Sequence, residues 1–487
     1  MNLSLCFRIF LVFILSSITT SGFSNLPDEE QKPNIILIFA DDLGWAELPQ
    51  YGYQKIDAPA GFQIFGDIKM PNIDRLTKEG TLFTNFYVAA PTCTPSRAGL
   101  VTGLCPSRTK MHAPIIKNLE FNAERGIPNH LDYNLPTVMN SLKNNGYRVG
   151  HFGKWHLGVT EDSSSPFIEK YGIDEYSDCL IGSNPYQQST EVIIDHSIDF
   201  IQKNKDKPFY INAWLYEPHA PLFPSQEDIE LYANSSPQEG NYRDAMLIWY
   251  SVLTRMDRHI GRLLTTLDDL NLAGNTIVIF TSDNGPESSA MPHTAKYGSV
   301  TAVAAGPFRG IKRSLYEGGI REPFIVRWPG KVPENVVDDE SIIGAVDLFP
   351  TFCALSNTNI PEGIDGEDVS EVFNGYSYTR KQPLTWEIRF PVYGRVNDMS
   401  PRLALRDKEW KFLMNPSMNR VELYNVVEDA GEVDNLAKKV PSVLERMRGE
   451  LIRWLESFEP FEVKQEDFRF QPDKSTEEQL RSLGYIQ

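Results

Sequence analysis

The sequence predicts an α/β fold: a large, mostly parallel, doubly wound sheet flanked by helices, followed by a smaller C-terminal antiparallel sheet with one helix. Three observations predict it. Short continuous apolar runs recur along most of the chain, as expected of strands buried on both faces. Stretches with helical spacing separate these runs, the alternation that winds helices onto both sides of a parallel sheet. From about Thr379 the texture changes to short strand-like segments and a last amphipathic stretch.

The first run, Asn34 to Phe39, ends at Ala40-Asp41-Asp42-Leu43-Gly44-Trp45. Asn72 to Gly80 reads as a short helix closed by glycine, and Leu82 to Val88 as the strand that delivers the chain to Pro91-Thr92-Cys93-Thr94-Pro95-Ser96-Arg97. There a turn gives way to a helix, because proline fixes φ and is tolerated in a first helical turn. Leu135 to Asn145 predicts a helix with Pro136 near its start, and Tyr147 to Phe152 a strand running into Gly153-Lys154-Trp155-His156. If strand alternation persists there, Lys154 and His156 share one face. Ile194, Ile198 and Ile201 recur at helical spacing, so Glu191 to Lys203 is a helix. Pro208 to Tyr216 is the next strand and enters Glu217-Pro218-His219-Ala220-Pro221, which places a histidine on a stiffened strand-end loop. After the long helix Tyr242 to Leu270, the strand Thr276 to Thr281 ends at Ser282-Asp283-Asn284-Gly285. Pro286 to Pro307 shows no period and reads as a rim loop; Phe308-Arg309-Gly310-Ile311-Lys312 and the strand Phe324 to Trp328 follow. The smaller sheet takes Leu403 to Arg406, Trp410 to Leu413 and Glu422 to Asn425, with a helix from Ser442 to Phe458 and a charged tail from Glu462.

The expected organisation is a leader over residues 1–24, a catalytic α/β domain over 25–378 and a C-terminal α+β subdomain with its tail over 379–487. Arg8, the apolar run Ile9 to Leu15 and the small-residue stretch to Ser24 have the layout of a secretory signal peptide. The run is shorter than the roughly 20 residues a membrane span needs, and no later segment is apolar enough to be one. An exported, periplasmic or secreted protein follows. Removal of Cys6 with the leader leaves Cys93, Cys105, Cys179 and Cys353; were Cys93 modified, the other three would allow one internal disulfide at most, with the pairing open. The formal net charge of −18 argues against a nucleic-acid or anionic-membrane partner. Any anionic substrate must be met by a local basic pocket.

The acidic strand-end motifs point first to a bound cation. Asp41 and Asp42 repel one another at the end of a buried strand, and a cation relieves that repulsion. Ligands of open α/β sheets gather beyond the carboxyl ends of the strands. Asp41, Asp42, Asp283 and Asn284 offer only oxygens, the ligand set of a hard divalent cation, for which calcium is more suitable than zinc. Cys93 opens its helix where an anion is favoured, but a thiolate is a poor neighbour for a hard ion.

The run Cys93-Thr94-Pro95-Ser96-Arg97, followed by Thr102-Gly103, resembles the motif of type I sulfatases of the alkaline phosphatase superfamily, whose cysteine is oxidised to Cα-formylglycine by a dedicated formylglycine-generating enzyme. The companion motifs follow in family order from about Asn34 to Pro323, and Glu422-Leu423-Tyr424-Asn425 and Asn435-Leu436 resemble a C-terminal family pattern. The resemblance implies one Ca2+ held by Asp41, Asp42, the modified Cys93, Asp283 and Asn284. It also implies that Arg97 and Lys154 hold the aldehyde hydrate and the sulfate, and that Lys312 binds sulfate oxygens. His156 would assist breakdown of the covalent sulfate adduct, and His219 would sit at the leaving-group oxygen. A hydroxyl contact known in the family has only Ser183 as a candidate here.

The implied activity is sulfuric ester hydrolysis on a sulfated carbohydrate. Trp45, Arg309, Trp386, Arg389 and Tyr393 are candidates to line sugar subsites. The alternatives are a broad arylsulfatase, a phosphate or phosphonate ester hydrolase of the same superfamily, and an inactive glycan-binding homologue. The Lys154, His156 and Lys312 set favours one metal with basic side chains over a two-metal phosphatase site.

Overall fold

In a computed structural model of the chain, β1 (Asn34–Ala40) occupies the middle of a nine-stranded sheet and every one of its residues is buried. The structure describes residues 31–51, 68–116, 118–158, 168–178, 189–219, 222–233, 243–287, 305–389, 398–418 and 420–458. The expected leader, Cys179, Ser183, Tyr393, most of the rim loop after Pro286 and the tail from Glu462 lie outside them. No described helix is long and apolar enough to cross a membrane.

The other strands of the sheet are β2 (Thr81–Tyr87), β3 (Arg148–Gly153), β4 (Glu175–Ser177), β5 (Phe209–Trp214), β6 (Thr276–Ser282), β7 (Arg321–Arg327), β8 (Val336–Asp338) and β9 (Ile343–Gly344). Their order is β4-β3-β5-β1-β6-β7-β2-β8, with β9 also on β2. All pairs are parallel except those of β7, which runs antiparallel to both β6 and β2. Alternation along β1 shows the double winding. Ile35, Leu37 and Phe39 enter one core with the helices Cys93–Thr102, Val138–Asn144 and Leu348–Leu355. Ile36, Ile38 and Ala40 enter the other, against Pro71–Lys78, Ser189–Asn204 and Arg243–Asp269. A strand wet on one face would cost several exposed aliphatic side chains, at roughly 1.5–3 kcal/mol each.

The predicted strands and helices form within a few residues of their expected bounds, with one instructive difference. The helix expected from Leu135 begins at Val138, because the Thr137 side chain accepts from Asn140 N and caps it. Pro136 therefore precedes the cap and does not open the first turn.

The second sheet is antiparallel in the order β10 (Leu384–Glu387), β11 (Leu403–Asp407), β12 (Trp410–Met414), β13 (Val421–Asn425), one strand more than expected. Its helix, Pro441–Glu456, sets Leu444, Met447 and Leu451 on Leu403, Leu405, Phe412 and Met414. Ala404, Leu413 and Tyr424 from the opposite face join the large core. Lys411, fully buried, pairs with Glu317 at 2.8 Å and Glu432 at 3.0 Å, fixing the small sheet to the short helix Glu317–Ile320 before β7.

Candidate active site

The carboxyl ends of β1 and β6 lie side by side because the two strands pair in register from Asn34↔Thr276 to Ala40↔Ser282. The next residue of each is an aspartate. Asp283 N bonds Ala40 O at 3.1 Å, and Asp42 N donates to Asp283 Oδ1 at 3.1 Å. Asp42 takes the left-handed conformation, φ 66°, which a non-glycine residue adopts at a cost. This turns Asp42 towards Asn284 Nδ2, at 2.7 Å, and Lys312 Nζ, 2.7 Å from its carboxylate.

Cys93 opens the helix Cys93–Thr102, with Thr92 as its N-cap and Gly103 closing it at φ 65°. Pro95 sits in the first turn, where no backbone bond is lost. Cys93 Sγ donates to Asp41 Oδ1 at 3.4 Å and accepts from Lys154 Nζ at 3.4 Å; Lys154 Nζ also reaches Asp41 Oδ2 at 2.5 Å. Arg97, one turn on, spends its nitrogens inside the protein. Nε and Nη2 clasp Asp283 Oδ2 at 3.0 and 2.7 Å, and Nη1 donates to Lys154 O at 2.9 Å. Its guanidinium lies between the rings of Phe39 and Trp214, 5.2 and 5.0 Å from their centroids.

His219 follows the cis Glu217–Pro218 bond, and its Nε2 lies 3.7 Å from Asp42 Oδ2. His156 reaches the neighbourhood by a different route from the one expected. β3 ends at Gly153 and His156 is left-handed, φ 53°, so strand alternation does not relate it to Lys154. Thr94 Oγ1 holds the His156 carbonyl at 2.8 Å, and His156 Nε2 sits 3.0 Å from Ile115 O. His156 Nδ1 is buried without a hydrogen-bond partner among the described residues.

The predicted residues from six separate stretches thus meet in one largely buried cluster, in which Asp41, Asp42 and Asp283 face Arg97, Lys154 and Lys312. Burial works against the charge on Asp41, but Lys154, His219, Arg97 and Lys312 more than offset it and hold this carboxyl well below the ordinary range. Burial and the charge of Asp41 push Asp283 up to about 7 in spite of Arg97. Burial, then Asp41, raises the Cys93 thiol far above its usual value, so residue 93 as a cysteine is neutral and a poor nucleophile. Burial lowers both His156 and His219, the latter despite Asp41 and Asp42.

The cluster fits a divalent cation. Ligand atoms of Asp41, Asp42, Cys93 and Asp283 all lie within 4.8 Å of one another, and Asn284 Oδ1 is buried with no hydrogen-bond partner among the described residues. Three carboxylates and an amide oxygen form a hard set, and sulfur is the one soft member.

A sequence model of the family described as Sulfatase matches residues 33–358. The chain belongs to the sulfatase family. It is accordingly placed among the sulfuric ester hydrolases of the alkaline phosphatase superfamily. A second model, N-sulphoglucosamine sulphohydrolase, C-terminal, matches residues 309–457 of this sulfatase. It is 32% identical to an N-acetylgalactosamine-6-sulfatase of Sus scrofa over 70% of the chain and 65% of that protein. It is 28% identical to an N-acetylgalactosamine-6-O-sulfatase of Bacteroides thetaiotaomicron over 86% of the chain and 92% of that protein. Its fold matches that of Ps i-CgsB, solved in complex with k-i-k-neocarrahexaose, with a TM-score of 0.70 and 27% identity over 93% of this chain and 98% of that one.

Several features of the site were not legible in the sequence. The Phe39–Trp214 clamp on Arg97 depends on β1 pairing with β5, with Phe39 opposite Trp214. Thr94 lies inside the quoted motif, yet its bond to His156 spans 62 residues. Trp45 packs on Tyr51 and Phe308, Trp386 Nε1 is tied to Val88 O, and Arg309 lies over Tyr316 and donates to Glu432 O. These three sugar-subsite candidates therefore have packing roles, and Arg389 pairs with Glu387 at 2.9 Å.

Proposed function

We propose that this chain removes sulfate from a sulfated carbohydrate, using residue 93 as formylglycine and one divalent cation, calcium by the hardness of the ligand set. The observation that carries the reading is the packing of Cys93 against Asp41 and Lys154 inside a cluster of three buried carboxylates and three buried cations. A neutral thiol there has no evident use, whereas an oxygen at the same place completes a hard ligand set. Glycan-directed relatives support the carbohydrate as substrate.

Asp41, Asp42, Asp283, Asn284 and residue 93 would hold the cation, which supplies charge neutralisation to a sulfate ester and its attacking oxygen. The hydrated aldehyde supplies two hydroxyls on one carbon, one to attack sulfur and one whose deprotonation later expels sulfate. Lys154 reaches residue 93 and Asp41 together, so it orients the attacking oxygen and offsets its charge. Arg97 locks Asp283 and the Lys154 carbonyl beside residue 93. Lys312 brings a buried ammonium to the sulfate oxygens, in a medium where such a charge counts for more than it does in water. His219 donates the proton that the departing alcohol oxygen needs, and the approach of an anionic ester favours its charged form. His156 assists release of sulfate. The three carboxylates balance Arg97, Lys154 and Lys312, so the cation gives the pocket the net positive charge that a chain of −18 must provide locally.

The reading carries three further parts. Residues 1–24 direct export to the periplasm or the exterior, and a maturation enzyme converts Cys93 before folding buries it. Residues 25–378 form the catalytic domain, and residues 379–487 the C-terminal subdomain with its tail. Mass spectrometry of the peptide spanning residue 93, from protein made with a formylglycine-generating enzyme, should show one sulfur and two hydrogens exchanged for one oxygen. Sulfate release from a panel of sulfated oligosaccharides should follow that conversion. Unconverted Cys93 in fully active protein, or faster cleavage of matched phosphate esters, would overturn the reading.

A further inference from the structure

A cavity of about 720 Å³ lies at the far end of the helix Cys93–Thr102, between Cys105–Arg108, the segment Arg380–Trp386 and the C-terminal helix. The wall residues Cys105–Arg108 follow the far end of that helix, whose ten residues at about 1.5 Å each span some 15 Å. None of the residues assigned to the reaction lines it. Its volume is that of a small-molecule or oligosaccharide site. Its charge contrasts with that of the whole chain, since five basic side chains line it against three acidic ones.

The pairing makes the contrast sharper. Asp365 is held by Arg108 at 2.9 Å and by Cys105 N at 2.8 Å. Asp407 and Glu450 are both taken by Arg446, at 2.6 and 3.1 Å. Arg380 is tied to buried Asp347. The remaining cations, Lys381, Lys408 and Arg453, are exposed and make no ion pair among the described residues. They rim a cavity whose wall includes the half-buried Trp454, packed edge-on against Phe458. Free cations around an aromatic wall bind a ligand with apolar ring faces and peripheral anionic groups.

We propose that this cavity is a second, non-catalytic site for sulfated oligosaccharide, which retains a polymeric substrate while residue 93 acts on another part of the chain. The proposal rests on the carbohydrate reading above for its ligand class. A site of this kind raises the affinity for polymer through effective concentration and leaves the chemistry on a small substrate untouched.

The test uses full-length protein carrying K381E, K408E and R453E together, all at exposed positions. Binding to immobilised chondroitin sulfate and carrageenan is measured against chemically desulfated chondroitin, and kcat/KM is measured on a sulfated monosaccharide. The expected result is polymer affinity at least tenfold weaker for the triple variant, no binding of either protein to the desulfated chain, and unchanged kcat/KM on the monosaccharide. Equal polymer affinity for variant and parent, equal binding of the desulfated chain, or no polymer binding by the parent would overturn the proposal. Charge-dependent polymer binding by a protein that cleaves no glycan would instead sink the catalytic reading and leave this site standing.

Discussion

Lys312→Met removes one charge from the buried cluster and keeps the bulk of the side chain. Lys312 Nζ is 2.7 Å from the Asp42 carboxylate, and both side chains are buried. At an effective dielectric of about 20 the gross attraction is about 6 kcal/mol. The net loss should be about 3–5 kcal/mol, because Asp42 stays out of water with Asn284 and the more distant His219 beside it but no lysine. A cation bound by Asp42 takes over part of Lys312's work, so the loss should depend on metal. Urea unfolding followed by tryptophan fluorescence, in chelator and in excess calcium, measures this. The variant should lose about 3–5 kcal/mol in chelator and less than half of that with calcium. Its kcat/KM on a sulfate ester should fall about 10²–10³-fold in calcium, as for loss of one preorganised charge at a transition state. Unfolding midpoints equal to the parent's in chelator, or a loss that calcium leaves unchanged, would refute the reasoning.

Cys93→Ser should stay within about 1 kcal/mol of the parent in urea, since the exchange nearly conserves volume. It should release at most one equivalent of alcohol per chain, read by rapid quench, because a single hydroxyl cannot expel the sulfate it accepts; steady turnover would exclude the role of residue 93. His219→Ala should slow alkyl and sugar sulfates by about 10²–10⁴ and activated aryl sulfates far less, and equal losses on both in steady-state assays would rule it out as the acid. Glu322, fully buried, has neither carboxylate oxygen bonded among the described residues, and burial, then Glu47, holds it well above the ordinary value. Its raised folded value favours the folded state fully below about pH 4.5, and this advantage is lost as pH rises from there through the raised folded value. Glu322→Gln should therefore match the parent in acid and become progressively more stable than it at higher pH in thermal melts; a constant difference across pH would show that Glu322 does not titrate on unfolding.

Much of the site was legible because catalysis at strand ends leaves local traces. Asp41-Asp42 and Asp283-Asn284 each close an apolar run, and an apolar run buried on both faces can hardly be anything but an inner strand. The run from Thr92 to Gly103 carries an extended entry at Thr92, a first-turn proline and a left-handed glycine stop. These facts need only the chain's own neighbours. They determined the double winding, the edge of the sheet where chemistry gathers, and the kinds of atom assembled there.

What neighbours along the chain cannot contain is which strand lies beside which. Only tertiary structure put β6 next to β1, and that register is the reason two acidic motifs some 240 residues apart share a hydrogen bond. It also chose the partners of the cations: Arg97 is spent on Asp283 and two aromatic rings, and His156 arrives by way of Thr94 and not by alternation with Lys154. Side-chain periodicity is a local property, whereas electrostatic pairing and burial are sums over everything nearby, so the charge state of this pocket was decided only when the chain closed around it.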